Sequence, residues 1–354
     1  MRGLFFARVA ICFFAALLSE GCLHIRVPKP HWPWCQKTPA EDLMNNAKSG
    51  DSAAQYMLGF SLLYGDGMPR NIDEGLTWLR KSGNGGYLKA QTALGMLFLK
   101  GIPDVPTNQV EAVKWLEKAA MQGSSSAQSS LGALYLAKGG PVYDPEAGVV
   151  WLKRAAEQSD VNAQLALAQM YHKGLVVAQN DSESVRWYRK AAEQGRKDGQ
   201  TNLGIAFYRG KGVEQSFGEA RKWFELAVAQ DEASAMSNLG VMAGRGEGFP
   251  KDEAKAVDWF RKAAERGDGD GQSNLGAAYF RGVGVSQDTA QALKWFTLAA
   301  EQGHALAQFR LGYMFATGQG VPADMAAAAK WIGKAAEQGN AQALKWLQEH
   351  AAQK

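Results

Sequence analysis

Apolar positions along this chain return at a fixed interval. Trp78, Trp115, Trp151, Trp187, Trp223, Trp259, Trp295 and Trp331 are spaced by 37 and then six times by 36 residues. A second ladder runs Gly59, Gly95, Gly132, Ala168, Gly204, Gly240, Gly276 and Gly312. Self-similarity at such a period marks a repeat architecture, each repeat one supersecondary unit that cannot bury its apolar face alone. Each unit reads as two helices. In Gly199–Tyr208 the leucine before the glycine and the aromatic three after it share one helical face. Glycine inside a helix costs about 1 kcal/mol against alanine, so the second ladder predicts close approach of a neighbouring helix.

The second helix of each unit carries its own boundaries. Seven residues before each tryptophan stand Asn71, Asn108, Asp144, Asn180, Ser216, Asp252, Asp288 and Asp324, all good N-caps. Asp144-Pro145 adds proline at the first helical position. The residue three before the tryptophan is always small. The one after it is always large: Leu79, Leu116, Leu152, Tyr188, Phe224, Phe260, Phe296, Ile332. Eight after it comes Gly86, Gly123, Gly195, Gly267, Gly303 or Gly339, a left-handed C-terminal position from which Ser159 and Asp231 depart. The loops inside the units carry Gly-x-Gly, as in Gly210 and Gly212, except in the second, third and fourth repeats. Thr38-Pro39-Ala40-Glu41 is a capping box that predicts a helix ahead of the array. Ala341 to His350 begins a ninth first helix behind it.

These features resemble the Sel-one-like repeat family, relatives of the tetratricopeptide repeat. Ala307-Gln308-Phe309-Arg310-Leu311-Gly312-Tyr313 and Ala328-Ala329-Lys330-Trp331-Ile332-Gly333-Lys334-Ala335-Ala336-Glu337-Gln338-Gly339 follow its consensus. The resemblance covers residues 53–350. It implies an all-α fold, a right-handed α-solenoid of eight 36-residue helix-turn-helix repeats over 53–340, with capping helices at 38–52 and 341–354.

The amino terminus reads as an address. Arg2 and Arg8 precede the apolar run Val9–Leu18, which is too short to span a bilayer, and small residues follow. This predicts a signal peptide over 1–21. Ser19-Glu20-Gly21 suits general signal peptidase, while Gly21-Cys22 resembles a bacterial lipobox with Ser19 where leucine is expected. The lipobox makes Cys22 the lipidated first residue of a periplasmic lipoprotein. The alternatives are a soluble periplasmic protein, in which Cys22 and Cys35 are free to pair, and an uncleaved anchor. With Leu23 after the cysteine and no aspartate, the inner leaflet of the outer membrane is the expected address. Residues 22–37, with Pro28, Pro30 and Pro33, form an extended tether.

Composition removes several chemistries. A net charge of +4 with 39 basic and 35 acidic residues leaves no block for nucleic acid. Three cysteines exclude a four-cysteine zinc site. The loop glycines follow helices rather than strands and recur with the repeat, unlike a phosphate cradle. No Gly-Lys pair precedes Ser or Thr, no histidine is followed by glutamate at metalloprotease spacing, and no serine sits in a hydrolase or penicillin-binding motif. The expectation is a non-enzymatic monomer needing no cofactor and no metal, touching the membrane only through its lipid.

A solenoid binds on its concave face. By analogy with tetratricopeptide repeats the first helices line it, at positions −3, +1, +4 and +5 from the glycine ladder. That selects Tyr56, Phe60 and Tyr64 in the first repeat and Phe309 and Tyr313 in the last. Between them it selects His172, Tyr208 and Phe280, with the cations Lys173, Arg209, Arg245 and Arg281 at 36-residue intervals. Aromatic groups beside arginines are the chemistry of protein hot spots; the competing reading is a solvated charge row. The expected partner is another protein in the groove. The resemblance extends to repeat-only lipoproteins that act as immunity proteins against type VI phospholipase toxins; the alternative is a scaffold for envelope assembly, in polysaccharide export or motility.

Overall fold

The structure, a computed structural model, describes residues 40–351. The signal segment, Cys22 and the tether lie outside the described residues. Within them there are eighteen helices and no strand, only an isolated bridge between Ile102 and Val105. Helix Ala40–Lys48 comes first and Ala341–Ala351 last. Between them the repeats alternate a first helix (Ser52–Tyr64, Leu88–Lys100, Ser125–Leu136, Val161–Lys173, Lys197–Arg209, Ala233–Arg245, Gly269–Arg281, Ala305–Thr317) with a second (Ile72–Asn84, Gln109–Met121, Pro145–Glu157, Asp181–Glu193, Phe217–Val228, Glu253–Glu265, Thr289–Glu301, Met325–Glu337). This is an all-α solenoid. The chain divides into two compact units at residues 190 and 191, inside the helix Asp181–Glu193.

Every second helix starts where its cap predicts. All eight cap side chains accept a hydrogen bond from the backbone N–H three residues on, at 2.9–3.3 Å. At the C-terminal ends the left-handed position is kept even without glycine: Ser159 has φ 67° and Asp231 φ 62°. The backbone geometry is thus imposed by the repeat, and the two side chains bear its steric cost. The Gly-x-Gly loops behave alike. Gly174 stands in the left-handed region, and so does Val176, with φ 64°, where the other loops have their second glycine. The second repeat replaces the glycines by a tight turn, Ile102 and Val105 exchanging backbone hydrogen bonds at 3.0 and 2.9 Å. Arg70 of the preceding loop holds that turn, reaching the Pro103 carbonyl at 3.1 Å and the Asp104 carboxylate at 3.1 Å.

The first-helix glycine does bring helices together. A Cβ on Gly204 would stand 2.7 Å from the ring of Phe224, which is fully buried. One on Gly132 would meet Leu152 at 2.8 Å and the Gly148 carbonyl oxygen at 2.9 Å. The facing residue is the large one after the tryptophan. At the fourth repeat, where Ala168 replaces the glycine, Ser184 donates its hydroxyl to the Ala168 carbonyl at 2.8 Å.

The deepest row is the leucine before each glycine, Leu58, Leu94, Leu131, Leu167, Leu203, Leu239, Leu275 and Leu311, at most 1% exposed. Burying each contributes about 1.5–3 kcal/mol. The tryptophans sit further out. Trp115, Trp187 and Trp223 are buried, and the other five only half-buried. Over six of the eight rings lies the cation three residues on, as with Lys118 over Trp115 at 4.5 Å and Lys262 over Trp259 at 4.6 Å; at Trp223 and Trp295, where Leu226 and Leu298 stand there, Lys222 and Lys294 take that role. Part of the tryptophan ladder therefore works as an amphipathic lid rather than as core.

A polar ladder joins successive repeats. Gln272, buried, donates from Nε2 to the Ala264 carbonyl, and its Oε1 accepts from Gln302 at 2.9 Å. Gln122–Gln91, Gln158–Gln128, Gln230–Gln200 and Gln338–Gln308 repeat the arrangement at 2.6–2.9 Å. Where Met236 interrupts the buried glutamine row, Arg266 stands in for the donor and bonds Asp231 instead.

Candidate functional site

The selected side chains fall into separate groups. In the first repeat Tyr56, Phe60 and Tyr64 form a run of rings one helical turn apart, with centroids at 4.8 Å and 5.9 Å. Tyr87 closes it against Tyr56 at 5.5 Å. Burial raises the phenol pKa of both Tyr56 and Tyr64. At the fourth repeat the His172 ring stands 3.3 Å from the Asp181 carboxylate. Partial burial lowers the pKa of Lys173.

The cationic positions of the later repeats are not equivalent. Arg245 donates to the Tyr208 hydroxyl at 2.9 Å, and that hydroxyl donates to the Glu247 carboxylate at 2.6 Å. Burial and the bond to Glu247 raise the tyrosine pKa. Arg245 is thus engaged through Tyr208, whose hydroxyl is anchored by a loop acid that 36-residue spacing does not reveal. Arg209 is exposed, and its charge acts on Asp270. A uniform row of free cations is not what forms, because the loop residue between the two glycines differs from repeat to repeat.

Arg281 has a different setting. The helix Gly269–Arg281 stops at Gly282, in the left-handed region, and Phe280 and Arg281 occupy its last turn. The next first helix, Ala305–Thr317, presents Phe309, Arg310 and Tyr313, with the two rings 6.3 Å apart. Together with Ala277, Phe296 and Gln342 these line a cavity of about 340 Å³. Positions −3, +1, +4 and +5 supply Phe309, Ala277, Tyr313, Phe280 and Arg281, five of the residues that line it.

Three lining residues lie outside those positions: Phe296, Arg310 and Gln342 of the last helix. Phe296 belongs to a second helix; its ring packs on Gly276 and lies 6.4 Å from Phe280. Arg310 occupies position −2, where the other repeats of this half carry asparagine. That departure is the sequence signal for it. Its guanidinium donates to the Ser273 carbonyl at 2.9 Å and hydroxyl at 3.0 Å, and lies over the Phe296 ring at 5.6 Å. Burial, with the charge of Arg281, pushes its pKa down to about 10, so it stays cationic at neutral pH. No carboxylate lines the cavity. Among the described residues no acid pairs with Arg281 or Arg310. Two cations at the rim of an aromatic-walled cavity can hold an anion whose body is apolar.

Among the described residues there is no group of His, Cys, Asp or Glu suited to a metal ion, and no helix long and apolar enough to cross a membrane.

Comparison with solved structures returns solenoids of this kind. A Sel1 repeat protein from Oxalobacter formigenes is 36% identical, with 95% of this chain and 92% of that one aligned at a TM-score of 0.70. A protective antigen of uropathogenic Escherichia coli with an SLR fold is 30% identical over 88% of this chain and 82% of its own, at TM-score 0.48. An immunity protein from Pseudomonas aeruginosa is 17% identical, covering 61% of this chain and 82% of that one at TM-score 0.43. No curated protein matches. The Sel1 repeat model matches residues 52–87, 88–124, 125–160, 161–195, 197–232, 233–268, 269–304 and 305–340. The capped helix pairs, the close-contact glycines and the repeat-by-repeat match agree: this chain belongs to the Sel1 repeat family.

Proposed function

We propose that the chain is a non-catalytic protein-binding scaffold, held by a lipid on Cys22 to the periplasmic face of the outer membrane. The observation that carries the binding reading is the cavity between the first helices of the last two repeats. It joins aromatic walls to two arginines with no acid of their own among the described residues. Family membership supports it, since Sel1 repeats serve as protein-interaction scaffolds. The sharper form of the proposal is an immunity protein that binds and neutralises a type VI secreted phospholipase. Its support is the resemblance to repeat-only lipoproteins with that role. The immunity protein of Pseudomonas aeruginosa, at 17% identity, adds no more than a shared repeat type.

The test is capture from an envelope extract by the tagged full-length protein, together with co-expression of a periplasmic phospholipase encoded beside the gene. Rescue of growth by the wild-type chain supports immunity. Capture of an export or motility component without rescue favours the assembly scaffold. Retention of a Cys22→Ala variant in the membrane fraction with its signal processed overturns the lipid anchor.

A further inference from the structure

The cavity lined by Phe280, Arg281, Phe296, Phe309, Arg310 and Tyr313 combines two features that together suit a ligand. Its walls are aromatic rings, and its two charges are both positive. Arg310 is held in place from behind by Ser273, on its carbonyl at 2.9 Å and its hydroxyl at 3.0 Å. It lies over the Phe296 ring, 5.6 Å from the centroid. It is thus fixed by neutral acceptors and a ring, which orient a guanidinium without neutralising it. Arg281 stands exposed beside it and interacts with it electrostatically. Two like charges brought together this way repel each other, and an anion between them removes the repulsion. A guanidinium offers a planar fork that matches a carboxylate. The aromatic walls suit an apolar neighbour of that carboxylate. A cavity of about 340 Å³ is at the small end for ligand sites, the size for one or two side chains rather than a large cofactor.

We infer that this cavity takes an acidic side chain flanked by a large apolar residue, presented by a partner polypeptide. The inference rests on the protein-binding reading above and names the chemistry of the partner at this point. The carboxylate sits between Arg281 and Arg310. The apolar neighbour lies on Phe280, Phe309 and Tyr313.

The probe is a fluorescein-labelled blocked peptide with a phenylalanine–glutamate–phenylalanine core, titrated with the full chain at low salt and read by anisotropy. Its counterparts carry glutamine or phosphoserine in place of glutamate. The glutamate peptide should bind, more weakly as salt is added, and the glutamine peptide about tenfold to a hundredfold more weakly, the usual range for a charge-assisted hydrogen bond. Arg281→Gln should lower affinity for the glutamate peptide by a similar factor and leave affinity for the glutamine peptide unchanged. Lys211→Gln, an equal change of net charge in an exposed loop outside the cavity, should leave both unchanged. Circular dichroism of Arg281→Gln checks that the helices persist.

Equal binding of the glutamate and glutamine peptides overturns the inference. So does indifference to Arg281→Gln, or failure of the glutamate peptide to bind at all. Tighter binding of the phosphoserine peptide, with displacement by inorganic phosphate but not by acetate, also overturns it, in favour of a phosphate site. If the wild type and Arg281→Gln capture the same protein from envelope extract equally well, the inference fails while the scaffold reading stands. If the peptide binds as expected and no protein is captured, the scaffold reading is the one that fails.

Discussion

Val176 is a β-branched residue at φ 64°, a conformation that glycine holds at the corresponding place in five other loops. An L-residue there costs about 1–2 kcal/mol, and β-branching adds to it. Val176→Gly removes that strain and gives back part of it as unfolded-chain entropy. Its side chain is half exposed, so little packing is lost. The net effect should be stabilisation by about 1 kcal/mol, seen as a higher urea midpoint with unchanged slope. A second residue-scale effect concerns pH. His304 Nδ1 accepts the Ala307 N–H at 3.2 Å, which makes Nε2 the protonated nitrogen, and Nε2 stands 2.9 Å from Asp270. That hydrogen bond is the main cause holding the Asp270 pKa below its ordinary value. A lowered folded-state pKa stabilises the fold above the unfolded carboxyl's pKa near 4, and the contribution is lost as pH falls through the folded value. Asp270 is largely exposed, so screening keeps the effect to a few tenths of a kcal/mol. Thermal melts of wild type and Asp270→Asn should differ slightly at pH 7, and the difference should close as pH falls through the lowered folded-state pKa of Asp270. A difference that persists in acid would mean that the carboxylate charge is not its source.

A helix pair is held by one small residue facing one large one. Gly204→Ala raises helix propensity by about 1 kcal/mol. It also drives a methyl into the ring of Phe224, buried on all sides, and overpacking of this kind costs about 1–3 kcal/mol. Stability should therefore fall in urea unfolding, against the propensity scale. Gly86→Ala, whose new Cβ meets nothing within 4 Å, should lose stability through its φ of 87° alone. The periodic glycines thus separate into two kinds, close approach in the first helix and left-handed backbone at the end of the second. The spacing of the sequence predicts both. It does not predict which tryptophans are buried, because that depends on the neighbouring repeat and on the cation that covers the ring.

For the array, the glutamine pairs add polar contacts between successive repeats to the apolar packing that spans them. Gln302→Ala takes the donor from Oε1 of the buried Gln272; because Gln302 itself is exposed, water can reach the orphaned acceptor, and the loss should be about 0.5–1.5 kcal/mol, the net worth of one hydrogen bond. Adding Gln272→Met, the residue found at this position one repeat earlier as buried Met236, removes the orphan. The double variant should be less destabilised than the sum of the singles, a coupling visible in a double-mutant cycle. Amide exchange should show the loss of protection for Gln302→Ala centred on the repeats it joins, since stability in a solenoid is a sum of local and nearest-neighbour terms.

Repeat number, helix order, caps and the glycine contacts were all legible in the chain, because each depends on short-range chemistry that recurs eight times. A side chain that must cap a helix, or leave room for a ring, leaves a trace at a fixed offset. The candidate site was legible in part, through the same periodicity: it selects Phe280, Arg281, Phe309 and Tyr313, which share one cavity. What distinguishes that cavity came only from the tertiary structure. Arg245 and Arg281 occupy the same repeat position, yet Tyr208 and Glu247 engage the first while the second stands beside another arginine. Arg310 lies off the predicted face and becomes a lining residue because Ser273 and Phe296, from two other helices, fix its guanidinium. Periodicity reports what the repeats share. A site depends on where they differ, and the effect of each difference is set by side chains brought alongside from neighbouring helices.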